Sequence, residues 1–227
     1  LAAMGRRSAS GGCGRARADV SKSNRTIVIG EDLGTVPKGF SKTIQAAGML
    51  SSVVLYFQRH ARGYRTSATY PKNALVSVST HDLPPFGGWW GGDDIALFRK
   101  IGLLDAKAAA ARREERAADR EALLVRLRRD LPRRSCPASI VQKRGKGKPP
   151  PAGPVSAAVH AFLARTPSLL CAVQYEDLCG ADAPVNIPGT WDEYPNWRIR
   201  ANRTIEQAAA SDRWREILAT VARERPK

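Results

Sequence analysis

Residues 26–37 read TIVIGEDLGTVP. The apolar run Thr26–Ile29 is short and β-branched, and it stops at Gly30, Glu31 and Asp32. A continuous apolar run of this length predicts a strand covered on both faces. Three further runs have the same character: Ser52–Phe57, Ala74–Val78 and Leu169–Val173. Between them lie segments with helical or loop character, among them Val36–Ala47 and Val155–Arg165, the second opened by Pro154 and Ser156. Strands alternating with helices predict βαβ units and a parallel sheet, so the fold class is α/β.

The strand ends carry the chemistry. The third run leads into Ser79, Thr80, His81 and Asp82, and the fourth into Gln174, Tyr175, Glu176 and Asp177. The second ends at Gln58, Arg59 and His60. Parallel strands present their C-terminal ends on one edge, where α/β proteins build active sites. One carboxylate there reads equally as a helix cap or a loop acid. Three carboxylate groups on one edge favour a site, and without His/Cys ligand clusters they favour acid/base or glycosyl chemistry. Trp89 and Trp90 follow Asp82 closely, and Trp191, Tyr194 and Trp197 follow the fourth run. Each ring suits sugar stacking and core packing equally.

Several classes drop out. There is no GxSxG elbow, no GxGxxG and no GxxxxGK[ST]. Cys13, Cys136, Cys171 and Cys179 form no CxxC pair, and His60, His81 and His160 stand at no zinc spacing, so no metal site is expected. Unpaired cysteines in apolar segments fit a reducing cytoplasm. No apolar run reaches the length of a membrane span.

The charge looks like a nucleic-acid signal until it is located. The 227 residues hold Lys+Arg 37 against Asp+Glu 21, a formal net charge of +16. Residues 1–23 carry +4 of it and residues 99–148 carry +10. The first stretch is rich in Gly, Ser and Arg without periodicity, and 1–24 is expected to be disordered. The second begins as a helix, Ala106–Leu131, with Leu123, Leu124, Leu127 and Leu131 on one face and the rest solvated, ended by Pro132. It continues as a Pro/Gly-rich linker holding Lys143, Arg144, Lys146 and Lys148. The excess charge avoids the strand ends, and the linker lacks stacking aromatics, so no specific nucleic-acid partner is expected.

Three segments together resemble one family. IGEDLGTVP (Ile29–Pro37), VSVSTHDLPPFGGWWGGDDI (Val76–Ile95) and VNIPGTWDEYPNWR (Val185–Arg198) are similar, in order and spacing, to signatures of the 4-α-glucanotransferases, the amylomaltases of the α-amylase clan. The resemblance covers roughly residues 26–227. It implies the C-terminal part of a (β/α)8 TIM barrel, with about four parallel strands, over residues 25–227, and a basic helix and linker at 105–154. It implies Glu31 as general acid/base at the end of barrel strand five, with its carboxyl protonated through burial or a neighbouring acid. Asp82 becomes the transition-state stabiliser after strand seven. His81, Trp89, Trp90 and Asn186 become substrate-binding residues, and Asp32 a structural or capping acid. The implied reaction is retaining transfer of an α-1,4-glucan segment to a glucan or glucose, with maltodextrin as partner and no metal or organic cofactor.

One element of the family pattern has no match. Its aspartate nucleophile ends barrel strand four, which would precede Thr26. The chain has only Asp19 there and no strand-like run, so Asp19 is not assigned the role. The expectation is therefore a C-terminal, incomplete barrel that is inactive alone, with an N-terminal barrel half as its missing partner. The alternative is a non-catalytic module that binds glucan or another protein.

Overall fold

The computed structural model describes residues 23–34, 36–141 and 149–225. The N-terminal stretch with Asp19 and the linker residues Lys143, Arg144, Lys146 and Lys148 lie outside the described residues.

The chain begins with β1 (Ile29–Gly30), α1 (Phe40–Ala46) and β2 (Leu50–Val54). A 3₁₀ turn, Leu55–Gln58, leads into a small hairpin of β3 (Arg59–His60) and β4 (Gly63–Tyr64). Then come β5 (Ala74–Ser77), α2 (Phe86–Gly91), α3 (Asp93–Lys100), α4 (Ala106–Asp130) and α5 (Ala138–Val141). The chain continues through α6 (Ala152–Ala164), β6 (Leu170–Cys171), α7 (Tyr175–Cys179), α8 (Ile205–Ala209) and α9 (Asp212–Glu224). Four strands form one sheet in the order β1-β2-β5-β6, with every pair parallel. The α/β class and the incomplete-barrel architecture expected from sequence are what the sheet displays: parallel strands, helices after β1 and β5, and, among the described residues, two open edges.

Two strands differ from expectation. β1 starts at Ile29 rather than Thr26, and it is not covered on both faces: Ile27 is 67% and Ile29 40% exposed. Among the described residues it is an edge strand, paired with β2 on one side. The second run turns out of the sheet after Val54, so Gln58 ends a 3₁₀ turn and Arg59 and His60 belong to the hairpin instead of the strand end.

The core gathers on one face of the sheet. Val53, Val76 and Val78 meet Phe86, Phe162 and Leu163 in one buried cluster. α6 is buried at every position from Val155 to Ala164. It begins at Ala152, ahead of both Pro154 and Ser156, and places Pro154 in the first turn, where its missing N–H costs no hydrogen bond. α4 is capped by Asp105, whose side chain accepts from Ala108 N–H at 2.7 Å. Its first half is mostly exposed, as a solvated helix should be. Its second half is not: Leu123, Leu124 and Leu127 are buried in the main core, as is Leu131 beyond the helix end. A helix that changes from charged to leucine-rich along its length changes from solvent to core at the same point.

The far end of α9 holds a buried acid. The Glu224 carboxylate has no exposed side-chain surface. It accepts from Ser135 Oγ (2.6 Å), Arg165 Nη1 (2.7 Å), Arg134 Nε and Arg223 Nε (both 3.2 Å). Burial works to raise its pKa, but these hydrogen bonds outweigh burial and pull it from 4.5 down to about 2. A depressed carboxylate stabilises the fold fully above its unfolded value, and that contribution disappears as pH falls through the folded value. Thermal melts of the chain and of Glu224→Gln should therefore differ most above about pH 4.5 and converge as pH approaches about 2. Melting temperatures that stay equally far apart in acid would count against this.

Candidate active site at the C-terminal edge of the sheet

Parallel pairing puts the ends of β1, β5 and β6 on one edge. Asp32 has a structural task there, accepting the backbone N–H of Ser52 in β2 at 2.9 Å. Glu31 is exposed. The burial expected around it is not supplied by the described residues, because the strand that carries it has an uncovered edge.

The loop after β5 builds the most organised part of the edge. Ser79 Oγ donates to Gln174 Oε1 at 2.6 Å, and Asp82 N–H is turned onto Thr80 Oγ1 at 3.3 Å. Farther on, Tyr56 Oη donates to the Pro84 carbonyl at 3.2 Å. Asn186 docks on this loop twice. Its backbone N–H reaches the His81 carbonyl at 3.2 Å, and its side-chain Nδ2 donates to Asp82 Oδ1 at 2.6 Å. His81 Nε2 lies 3.4 Å from the same oxygen. The Asp82 carboxylate is thus held by the Asn186 amide, with the His81 ring beside it. The His81 and Asp82 side chains are about half exposed.

The loop that brings Asn186 also brings an aromatic. The Trp197 ring lies 5.1 Å from the His81 ring, tilted by 44°, and is 62% exposed. Its backbone adopts φ 60°, a left-handed conformation that costs a bulky residue about 1–2 kcal/mol. Asn196 steadies the loop, accepting from Ile187 N–H at 2.9 Å and donating to Thr190 Oγ1 at 2.8 Å. Beside Asp82 opens a cavity of about 510 Å³, walled by Tyr56, Leu83, Phe98, Leu104 and Ile187.

Trp89 and Trp90 are placed differently from the expectation of sugar contact. Trp90 is 2% exposed and donates its indole N–H to the Pro150 carbonyl at 2.8 Å. Trp89 is 5% exposed, stacked on Tyr56 at 4.8 Å, with the Arg116 guanidinium 4.8 Å over its other face. Both rings pack against protein, because Phe86–Trp90 of α2 are buried, and Trp89 also forms part of the wall of the cavity beside Asp82. Gly87 and Gly88 let α2 lie there: a Cβ on Gly88 would sit 2.0 Å from the Asp182 carbonyl oxygen. Trp197 is the exposed ring beside His81. Asp177, one of the strand-end acids, is not at the surface of the edge either. Its side chain has no exposure and faces the core, while Glu176 beside it stays half-buried on the outside.

Among the described residues, no group of three His, Cys, Asp or Glu side chains is disposed to hold a metal ion. No helix among them is long and apolar enough to cross a membrane.

The family model described as 4-alpha-glucanotransferase matches residues 13–205, a span that begins inside the N-terminal stretch. The 4-alpha-glucanotransferase of Haemophilus influenzae is 32% identical over 179 residues, covering 78% of this chain and 25% of that protein. The Mycobacterium tuberculosis 4-alpha-glucanotransferase is 35% identical over 178 residues, covering 76% and 23%. The chain therefore spans about a quarter of the length of the curated relatives it matches. The crystal structure of amylomaltase from Corynebacterium glutamicum superposes with a TM-score of 0.78 at 28% identity, covering 90% of this chain and 30% of that one. Amylomaltase from Streptococcus agalactiae, solved in complex with acarbose, shares the fold at a TM-score of 0.56 and 16% identity. On its parallel strands, its Asp82–Asn186 pairing and a match over most of its length, the chain belongs to the 4-alpha-glucanotransferase family.

Proposed function

We propose that this chain supplies the acid/base and stabilising half of a 4-α-glucanotransferase active site, and that it binds maltodextrin without transferring it when alone. The observation that carries this reading is the Asn186–Asp82 hydrogen bond. It joins two motifs far apart in sequence into one half-exposed, carboxylate-centred cluster beside a cavity.

In this reading Glu31 protonates the glycosidic oxygen of the donor glucan and then takes a proton from the acceptor hydroxyl, as microscopic reversibility requires. Asp82 Oδ2 and His81 bind hydroxyls of the sugar whose ring flattens in the transition state. Asn186 keeps the carboxylate turned toward it. Trp197 offers an exposed ring for a sugar face. The covalent step needs a carboxylate on the opposite side of the ring, close to the acid. No residue of this chain is assigned that role, so the upstream barrel half is its proposed source. The exposed side chains Ile27, Ile29, Val36 and Phe40 near β1 are the apolar surface that such a half would cover.

Two measurements test it. Maltodextrin should quench tryptophan fluorescence saturably, and incubation with maltotriose should release no glucose. Absence of any quench would remove the glucan-binding reading. Glucose release abolished by Glu31→Gln would show that the nucleophile is present in the chain after all. Mixing with the N-terminal portion of a family member separates the remaining alternative. Turnover that depends on Glu31 supports an incomplete enzyme, and binding without turnover supports a pure binding module.

A further inference from the structure

Behind the Asp82 loop the core holds an acid and a base that the proposed chemistry does not use. Asp177, in the first turn of α7, and His160, on α6, both have side chains with no solvent exposure. Asp177 Oδ1 accepts the backbone N–H of Phe86 at 2.7 Å. Phe86 opens α2 and ends the loop that begins at Ser79. His160 Nδ1 lies 2.8 Å from the Ser156 carbonyl. A carbonyl can only accept, so Nδ1 carries a hydrogen, and in the neutral ring Nε2 is bare. That nitrogen faces Asp177 Oδ2 at 3.6 Å, and neither atom has a hydrogen bond among the described residues.

Burial pushes the His160 pKa down and the Asp177 pKa up, so it disfavours the charged form of each group. A protonated acid facing a bare ring nitrogen and a carboxylate facing an imidazolium are both neutral overall. The surrounding charged and titratable groups are Arg213 of α9, whose Nε–H donates to the Asp177 carbonyl, Glu176 next in the chain, and the buried Tyr56 hydroxyl. At the other end of the loop Gln174, the N-cap residue of α7, accepts from Ser79 Oγ. The segment after β6 therefore grips both ends of the loop that presents Asp82.

We propose that Asp177, kept in one orientation by His160, is a positioning residue for Asp82: it fixes the Phe86 end of the loop so that the Asp82 carboxylate meets Asn186. The proposal rests on Asp82 being the sugar-facing carboxylate. Its immediate readouts need no sugar, so the two ideas fail separately.

The test is NMR on the full chain and its variants, following the His160 tautomer, exchange of the Phe86 amide and the Asn186 side-chain amide signal. The wild type should show the Nδ1–H tautomer. Asp177→Asn should rescue, since its oxygen still accepts from Phe86 and its amide can donate to bare Nε2. Asp177→Leu should speed Phe86 exchange roughly tenfold or more and return the Asn186 signal to that of a free amide. A loss of melting temperature with the Asn186 signal unchanged would mean a merely structural role and overturn the proposal. So would an Nε2–H tautomer in the wild type. If Asp177→Leu does not fold, Asp177→Ser, too short to reach Phe86, reads the same signals. If these signals behave as described but maltodextrin never binds, the glucan reading falls and the positioning role stands.

Discussion

Asp94→Ala should destabilise the fold by about 3–5 kcal/mol, among the largest effects of any single substitution outside the hydrophobic core. Asp94 sits in the first turn of α3 and grips Arg116 of α4 with both oxygens, at 2.9 and 2.8 Å. Both side chains are nearly sealed, 5% and 11% exposed. The same guanidinium lies over Trp89 and donates to its carbonyl. Removing the acid leaves a buried cation without its counter-charge, and that penalty, rather than the worth of the pair, makes the loss large. Pairing Asp94→Leu with Arg116→Met should recover much of it, because an apolar pair needs no desolvation. Urea unfolding midpoints of the single and double variants would check this; a single variant within about 1 kcal/mol of the wild type would refute it.

Asp82→Ala should weaken maltodextrin binding roughly 10- to 100-fold, the effect of losing a hydrogen bond to a charged group. Stability should hardly change, because the Asp82 side chain is 42% exposed and its deletion leaves room for water beside Asn186. The pairing of these outcomes is the point. A fall in melting temperature as large as the affinity loss would make Asp82 a loop anchor rather than a ligand contact. Fluorescence titration and a thermal melt on one sample give both numbers.

The sequence was legible where local pattern and tertiary environment coincide. Ala74–Val78 is apolar except for Ser77 and lies between two strands, so its reading survives almost intact. Thr26–Ile29 has the same composition, yet most of it is exposed, because hydrophobicity does not reveal whether a neighbouring strand is present. Ser52–Phe57 is equally apolar but leaves the sheet after Val54, since Leu55 turns into the core through a 3₁₀ turn. The site was legible as a set of motifs, and His81, Asp82 and Asn186 do meet. Which tryptophan stays exposed was not. Trp89 and Trp197 offer identical chemistry, and only the packing of α2 against Tyr56 and Arg116 separates them. Asp177 was equally opaque: a strand-end acid looks the same in sequence whether it faces a ligand or a buried histidine.

The pairing of β5 with β6 sets Leu75 against Leu170 and Val76 against Cys171. All of α4, the longest helix, lies inside the segment that this pairing closes. Local helix formation is fast, whereas parallel pairing must first overcome the entropy of a long closed loop. α4 can therefore form while the last strand is still searching. The sheet edge that assembles the Asp82 loop with Gln174 and Asp177 is then expected to become native after the basic helix has formed.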